Sequence, residues 1–137
     1  MSSSSGKFDA LVAKFYASIS FTAGGAPKWD ELASLFHESA LIVPPASDTN
    51  DRCMALFLPE FVVHFRPIFD RFDEGFAEYE IFENTMIFGD VAQRASGYGI
   101  KYGDTTIPMR GVNMFQFVRP PDGDWLIASL VWDRLPT

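Results

Sequence analysis

The period of the hydrophobic pattern changes near residue 75, and this limits the fold more than any single motif. Before that point apolar residues recur at steps of three and four. One run holds Phe8, Leu11, Val12, Phe15 and Ile19, a second Trp29, Leu32, Ala33, Leu35 and Phe36, and a third Phe61, Phe65, Ile68 and Phe72. That spacing gives each of three helices one apolar stripe. The second helix is expected to stop around residues 37–39, with a short strand at 41–43 cut off by Pro44-Pro45. Pro59 suits a first helical position, and Pro67 should kink the third helix or end its regular part. After residue 75 the chain reads as strands over 76–88, 91–102, 107–118 and 125–134. Turn signals separate them: Gly89-Asp90, Gly103-Asp104 and the stretch 120–123. Helices followed by a strand meander mean an α+β fold. Three N-terminal helices would pack on a strongly curved, mixed or antiparallel sheet, leaving a cone with an apolar pocket.

The last hairpin, 111–133, does not alternate cleanly between apolar and polar residues. Asn113, Phe115 and Phe117 share one side of its first strand, and Val112, Met114, Gln116 and Val118 share the other. On its second strand Trp125, Ile127, Ser129 and Val131 would face one way, and Leu126, Ala128, Leu130 and Trp132 the other. A strand wet on one face carries polar residues at every second position. This hairpin should therefore be covered twice, by the core and by a partner subunit, which predicts a homodimer through the sheet.

Length and composition narrow the function classes. The chain has 137 residues, 47% of them apolar, with 14 Phe, 4 Tyr and 3 Trp. That is one domain's worth of chain, with material for a real core. A small-residue tail over residues 1–6 is expected to be mobile, and residues 7–137 to form a single domain. The net charge of −7 and the scattered basic residues leave no footprint for nucleic acid or for an anionic membrane. No apolar run approaches the ~20 residues that span a bilayer. Asp9 and Lys14 interrupt what would be the core of a leader, so the chain is expected in the cytoplasm. Cys53 is the only cysteine, which excludes an internal disulfide and a thiolate metal cluster. No HxxxH, phosphate loop or nucleophile elbow occurs, so neither a metal nor a cofactor is expected.

Three stretches carry a family resemblance: WDELASLFHESALIVPP, FGDVAQRASGYGIKYG and GVNMFQFVRPPDGDWLIASLVWD. In order and type they resemble the nuclear-transport-factor-2-like superfamily, the cystatin-like cone shared by ketosteroid isomerases, SnoaL-like cyclases, scytalone dehydratases and limonene epoxide hydrolases. The resemblance implies a pocket for a small hydrophobic molecule. It also implies two hydrogen-bond donors at positions matched here by Tyr16, on the first helix, and Asn113, where isomerases carry an acid. The isomerases' general base would precede the Pro that ends the short strand. Val43-Pro44 stand there, so steroid isomerisation by the family's mechanism is not expected. Arg110 falls on the opposite face of its strand from Asn113, which leaves no epoxide-hydrolase relay.

The catalytic candidates are His64, Tyr16 and Asn113. His64 interrupts a Phe-rich helix face, either as an acid–base group tuned by an apolar pocket or as a neutral core histidine. Tyr16 either donates into the cavity or ends its stripe in water. Asn113, among apolar neighbours, must bond to something, whether ligand or protein. Phe15, Val43, Phe61, Phe65, Phe115, Trp132 and Asp133 are the candidate ligand-binding residues, although an exposed ion pair with Arg134 is the plainer role for Asp133. His37 is read as a structural residue at the end of the second helix. The function expected is that of a lyase, cyclase or isomerase acting on a small molecule, or else a non-catalytic binding or association module.

Overall fold

The computed structural model describes residues 2–136, with side chains from residue 6 onward. Three α-helices, α1 (Ser2–Ile19), α2 (Trp29–Ser34) and α3 (Leu58–Phe69), pack on one sheet. Its strands are β1 (Phe21–Thr22), β2 (Phe36–Val43), β3 (Leu56–Phe57), β4 (Gly75–Phe88), β5 (Val91–Tyr102), β6 (Thr105–Val118) and β7 (Leu126–Arg134). Their order is β1-β4-β5-β6-β7-β2-β3. Neighbours are antiparallel except β2 and β7, which run parallel, so the sheet is mixed. This is the expected α+β arrangement. The stretch read as a tail is mostly helical, since α1 begins at Ser2; Met1 lies outside the described residues.

The hairpins form where Gly-Asp pairs occur. Gly89 (φ 58°) and Gly103 (φ 55°) take the left-handed conformation that a tight turn needs and that a side chain resists. Two expectations for the helical half are corrected. The second helix ends at Ser34, and Phe36–Val43 is a strand. Phe36 and Leu35 are buried there because β2 lies against β7, with Leu35 accepting a hydrogen bond from the Ile127 amide at 2.9 Å. Pairing with the sheet thus overrides the helical spacing. His37 consequently sits on β2, not at a helix end, and its Nδ1 accepts from the Ser39 amide at 3.0 Å. Pro67 is followed by only two more helical residues before α3 ends.

The irregular pattern of the last hairpin has a local cause. Gln116 pairs with Ser129 but Phe117 with Ile127, so Ala128 is an extra residue on β7. An extra residue exchanges the two faces of a strand. Trp125 and Ile127 before the bulge and Leu130 after it are therefore all buried on the same side, with Trp132 beside them. Similar register shifts occur on β4, between Glu80 and Phe82, and where β5 meets β6. These bulges bend long strands around α1 and α3. The core lies in the concavity, where Phe8, Val12 and Phe15 of α1 meet Phe115, Phe117 and Trp125. Each such ring contributes about 1.5–3 kcal/mol by leaving water.

Candidate functional site

The concavity is not filled completely. A cavity of about 360 Å³ remains between α3, the end of α1 and the inner faces of β4 to β7. That is within the size range of small-molecule sites. Phe15, Phe61, Phe65 and Trp132 lie in its walls, joined by Phe69 and Phe76. Phe61 and Phe65 stack with centroids 4.6 Å apart, and Trp132 meets both rings edge-on or tilted. Phe115 is not a wall. It lies one layer deeper, edge-on to Phe15 at 5.0 Å. Val43 and Asp133 lie on the other side of the sheet, around a separate surface depression with Pro44. The Asp133 carboxylate accepts from the Arg134 amide, and no Asp133–Arg134 ion pair occurs.

The structure brings two of the three catalytic candidates together and sends the third elsewhere. Asn113 Nδ2 donates to the Tyr16 hydroxyl at 3.1 Å and to Glu78 Oε2 at 3.0 Å. His64 leaves α3 on the flank of the apolar face, outside the cavity lining. Its Nε2 bonds the backbone carbonyl of Asp48 at 2.8 Å, which pins the polar loop over 46–52 to the helix.

Tyr16 continues into a buried chain of polar groups. Its hydroxyl is 2.6 Å from Ser96 Oγ, Ser96 Oγ donates to Glu80 Oε2 at 2.6 Å, and Arg94 grips both oxygens of Glu80. Arg94, whose side chain is only 1% exposed, also binds Asp9 at 2.8 Å, tying α1 to the sheet. The proton direction along this chain follows from counting. Ser96 has one proton and gives it to a carboxylate, so it accepts from Tyr16. Tyr16 in turn accepts from Asn113, and every hydroxyl proton points away from the cavity. Tyr16 therefore supports Asn113 and has no proton for a ligand. Burial raises its pKa, a rise that the Ser96 and Asn113 hydrogen bonds only reduce.

The polar groups that do face the cavity are Glu78, Tyr98, Tyr102, Arg110, Asn113 and Arg134. Burial pushes the Glu78 carboxyl up to about 7, against the opposing pull of the Asn113 hydrogen bond and the Arg134 charge. Tyr98 is 3% exposed, and its hydroxyl makes no hydrogen bond among the described residues. No fully enclosed polar atom there is left unpaired, so this hydroxyl keeps a small exposure, and Tyr98 lines the cavity. Burial, with the Glu78 charge second, raises its pKa. Arg134 is paired with Asp48 at 2.5 Å. Arg110 has no ion-pair partner among the described residues.

The expectation for Arg110 is corrected by another bulge. Tyr98 pairs with Gly111 but Ile100 with Ile107, so three residues of β6, 108–110, stand opposite Gly99 alone. Pro108 cannot donate to a ladder and is accommodated in this irregular stretch. Gly99 is required because an added Cβ would lie 2.7 Å from the Pro108 carbonyl oxygen. Two extra residues leave the faces of the flanking strand unexchanged, so Ile107 and Asn113 share one side, and Arg110, inside the bulge, reaches the cavity with them.

This arrangement of helices on a mixed sheet recurs in solved structures. A protein of unknown function with a cystatin-like fold from Nostoc punctiforme superposes with a TM-score of 0.71 at 13% identity, over 95% of this chain and 90% of that one. The chain has the NTF2-like, or cystatin-like, fold. An NTF2-like protein of unknown function from Pseudomonas putida gives 0.73 at 9% identity, over 97% of this chain and 87% of that one. A "putative ketosteroid isomerase" from Shewanella frigidimarina gives 0.64 at 16% identity, over 90% and 92%. No family model and no curated protein sequence matches the chain. Among the described residues no helix is long and apolar enough to cross a membrane, and no cluster of potential metal ligands occurs.

Proposed function

We propose that the cone binds a small, largely apolar molecule and presents its polar end to Glu78 and Tyr98. The observation that carries this reading is that the Glu78 carboxyl and the Tyr98 phenol, which makes no hydrogen bond among the described residues, line one aromatic cavity, where burial pushes the carboxyl up to about 7. A carboxyl of that kind accepts and returns a proton at physiological pH. If the ligand is turned over in a lyase, cyclase or isomerase reaction, Glu78 is the acid–base group and the Tyr98 hydroxyl the donor to developing charge. A substrate processed equally well by Glu78→Gln would remove Glu78 from that role. The binding claim is tested with 2-naphthol, an uncharged ten-carbon aromatic. The wild type should bind it, and Ile68→Trp, which fills the cavity from α3, should weaken binding at least tenfold. Absence of wild-type binding at millimolar ligand would overturn the reading.

A second reading, as an association module, rests on the outer face of the sheet. Phe82, Met86 and Met114 are well exposed there, and Phe88 at the hairpin tip is 82% exposed. Exposed apolar area of this kind marks an interaction surface. A homodimer through this face, in the cytoplasm, accompanies both readings. Sedimentation showing a monomer at tens of micromolar would remove the dimer.

A further inference from the structure

We infer that the molecule this cavity accepts is an apolar acid, whose single anionic group is held by Arg110 and Tyr98. The inference rests on the binding reading above and adds a ligand class to it. Arg110 is the one charged side chain in the lining, apart from Glu78, that lacks an opposite charge in contact with it among the described residues. Arg134 already satisfies Asp48. A guanidinium next to aromatic walls gains most from a planar carboxylate, which accepts two parallel N–H bonds. Tyr98, which lines the same cavity and whose hydroxyl makes no hydrogen bond among the described residues, supplies a third donor. Asn113 already spends both amide protons on Tyr16 and Glu78, so it is not the anion's donor.

Glu78 makes the binding depend on pH. The groups around its carboxyl are Tyr16 on α1, Tyr98 and Tyr102 on β5, Arg110 and Asn113 on β6, and Arg134 on β7 with its partner Asp48 in the 46–52 loop. From α3 only apolar side chains reach this space, since His64 is turned to the Asp48 carbonyl. An anion entering beside an ionised Glu78 would meet a like charge at low dielectric. It therefore binds the form in which Glu78 is protonated, and binding takes up a proton. With Glu78 at about 7, affinity should fall about tenfold between pH 6 and pH 8. A carboxylic acid is already ionised throughout that range, so the change is the protein's.

The cavity, about a dozen water volumes at ~30 Å³ each, suits an acid of about ten heavy atoms. The probes are 3-phenylpropanoate, 3-phenylpropan-1-ol and 3-phenylpropylamine, titrated calorimetrically at pH 6 and pH 8. The acid should bind at least tenfold more tightly than the alcohol at pH 6, and the amine more weakly than either. Arg110→Met should bring acid and alcohol to within about threefold, with an unchanged far-UV circular dichroism spectrum showing that the variant folds. Glu78→Gln should flatten the pH dependence. If the alcohol binds the wild type as tightly as the acid, or Arg110→Met keeps the preference, the anion assignment is wrong and the apolar cavity stands. If neither acid nor alcohol binds, the cavity reading fails and this inference with it.

Discussion

Replacing Glu78 with Gln isolates the cost of keeping a titratable group in the cone. The substitution preserves shape and an acceptor for Asn113 Nδ2, and removes only the charge. The folded carboxyl titrates at about 7 against 4.5 for an ordinary one, chiefly because burial penalises the ion. Below pH 4.5 both folded and unfolded chains hold the proton, and Glu78 is neutral in its effect. Between 4.5 and 7 the unfolded chain releases its proton first, so stability is lost steadily as pH rises. Above 7 both states are ionised and the loss is complete. At ~1.4 kcal/mol per tenfold difference in proton affinity the full loss is about 3 kcal/mol, and because the cavity admits water about 2 kcal/mol is a fairer figure. Urea titrations of both proteins from pH 4.5 to 8.5 read this directly, since Asp9, Glu80 and the other carboxylates affect both alike. The Glu78→Gln protein should gain about 2 kcal/mol over the wild type by pH 8. A difference that stays flat across the range would refute the placement of Glu78 in a poorly solvated wall.

Two further substitutions probe the surrounding structure. Arg94→Met removes the counter-charge of Glu80 and the tie to Asp9, and should cost about 3 kcal/mol in urea unfolding; a loss below 1 kcal/mol would mean the cluster is effectively a solvated surface pair. His64→Ala should speed amide exchange over residues 46–52 while leaving 2-naphthol affinity within about twofold, and a tenfold loss of affinity would return His64 to the binding site.

What could be read from the sequence depended on whether a strand was regular. The hairpins at Gly89 and Gly103 were legible because a turn with positive φ has its own residue chemistry. The inward placement of Asn113, Phe115 and Phe117 was legible because β6 alternates strictly there. The same alternation misplaces Leu130, Trp132 and Arg110, because bulges intervene, and an insertion of one residue on β7 or two on β6 leaves no composition signal of its own. The polar side of the cavity was missed for a related reason. Glu78, Glu80, Arg94 and Ser96 look like the wet face of an ordinary hairpin until α1 covers it. Arg94 did give a hint, since it shares its parity on β5 with Ala92, Ser96, Tyr98 and Ile100. That face is too apolar for a solvated arginine, so a buried charge partner was implied. Only the three-dimensional register identifies the partner as Glu80. For His64 the helical spacing was right, yet a position on the flank of a stripe does not decide whether the ring turns to the cavity or to a neighbouring loop.

The parallel pairing of β2 with β7 also sets an order of assembly. β7 is the last of the seven strands to be made, and it lies between β6 and β2. Until it emerges, β2 and β3 have no sheet to join, and α3 carries its Phe61–Phe65 face with Trp132 still missing. The α1 helix waits too, though for less of the chain, because Tyr16 finds Ser96 and Asn113 only after 80 and 97 residues. Such distant pairings make closure slow. A ribosome-bound chain ending before β7 would thus display its most aromatic surfaces to the cell. Protection of those surfaces during synthesis, by a chaperone or by rapid elongation, bears on the yield of this protein as much as the stability of its finished form.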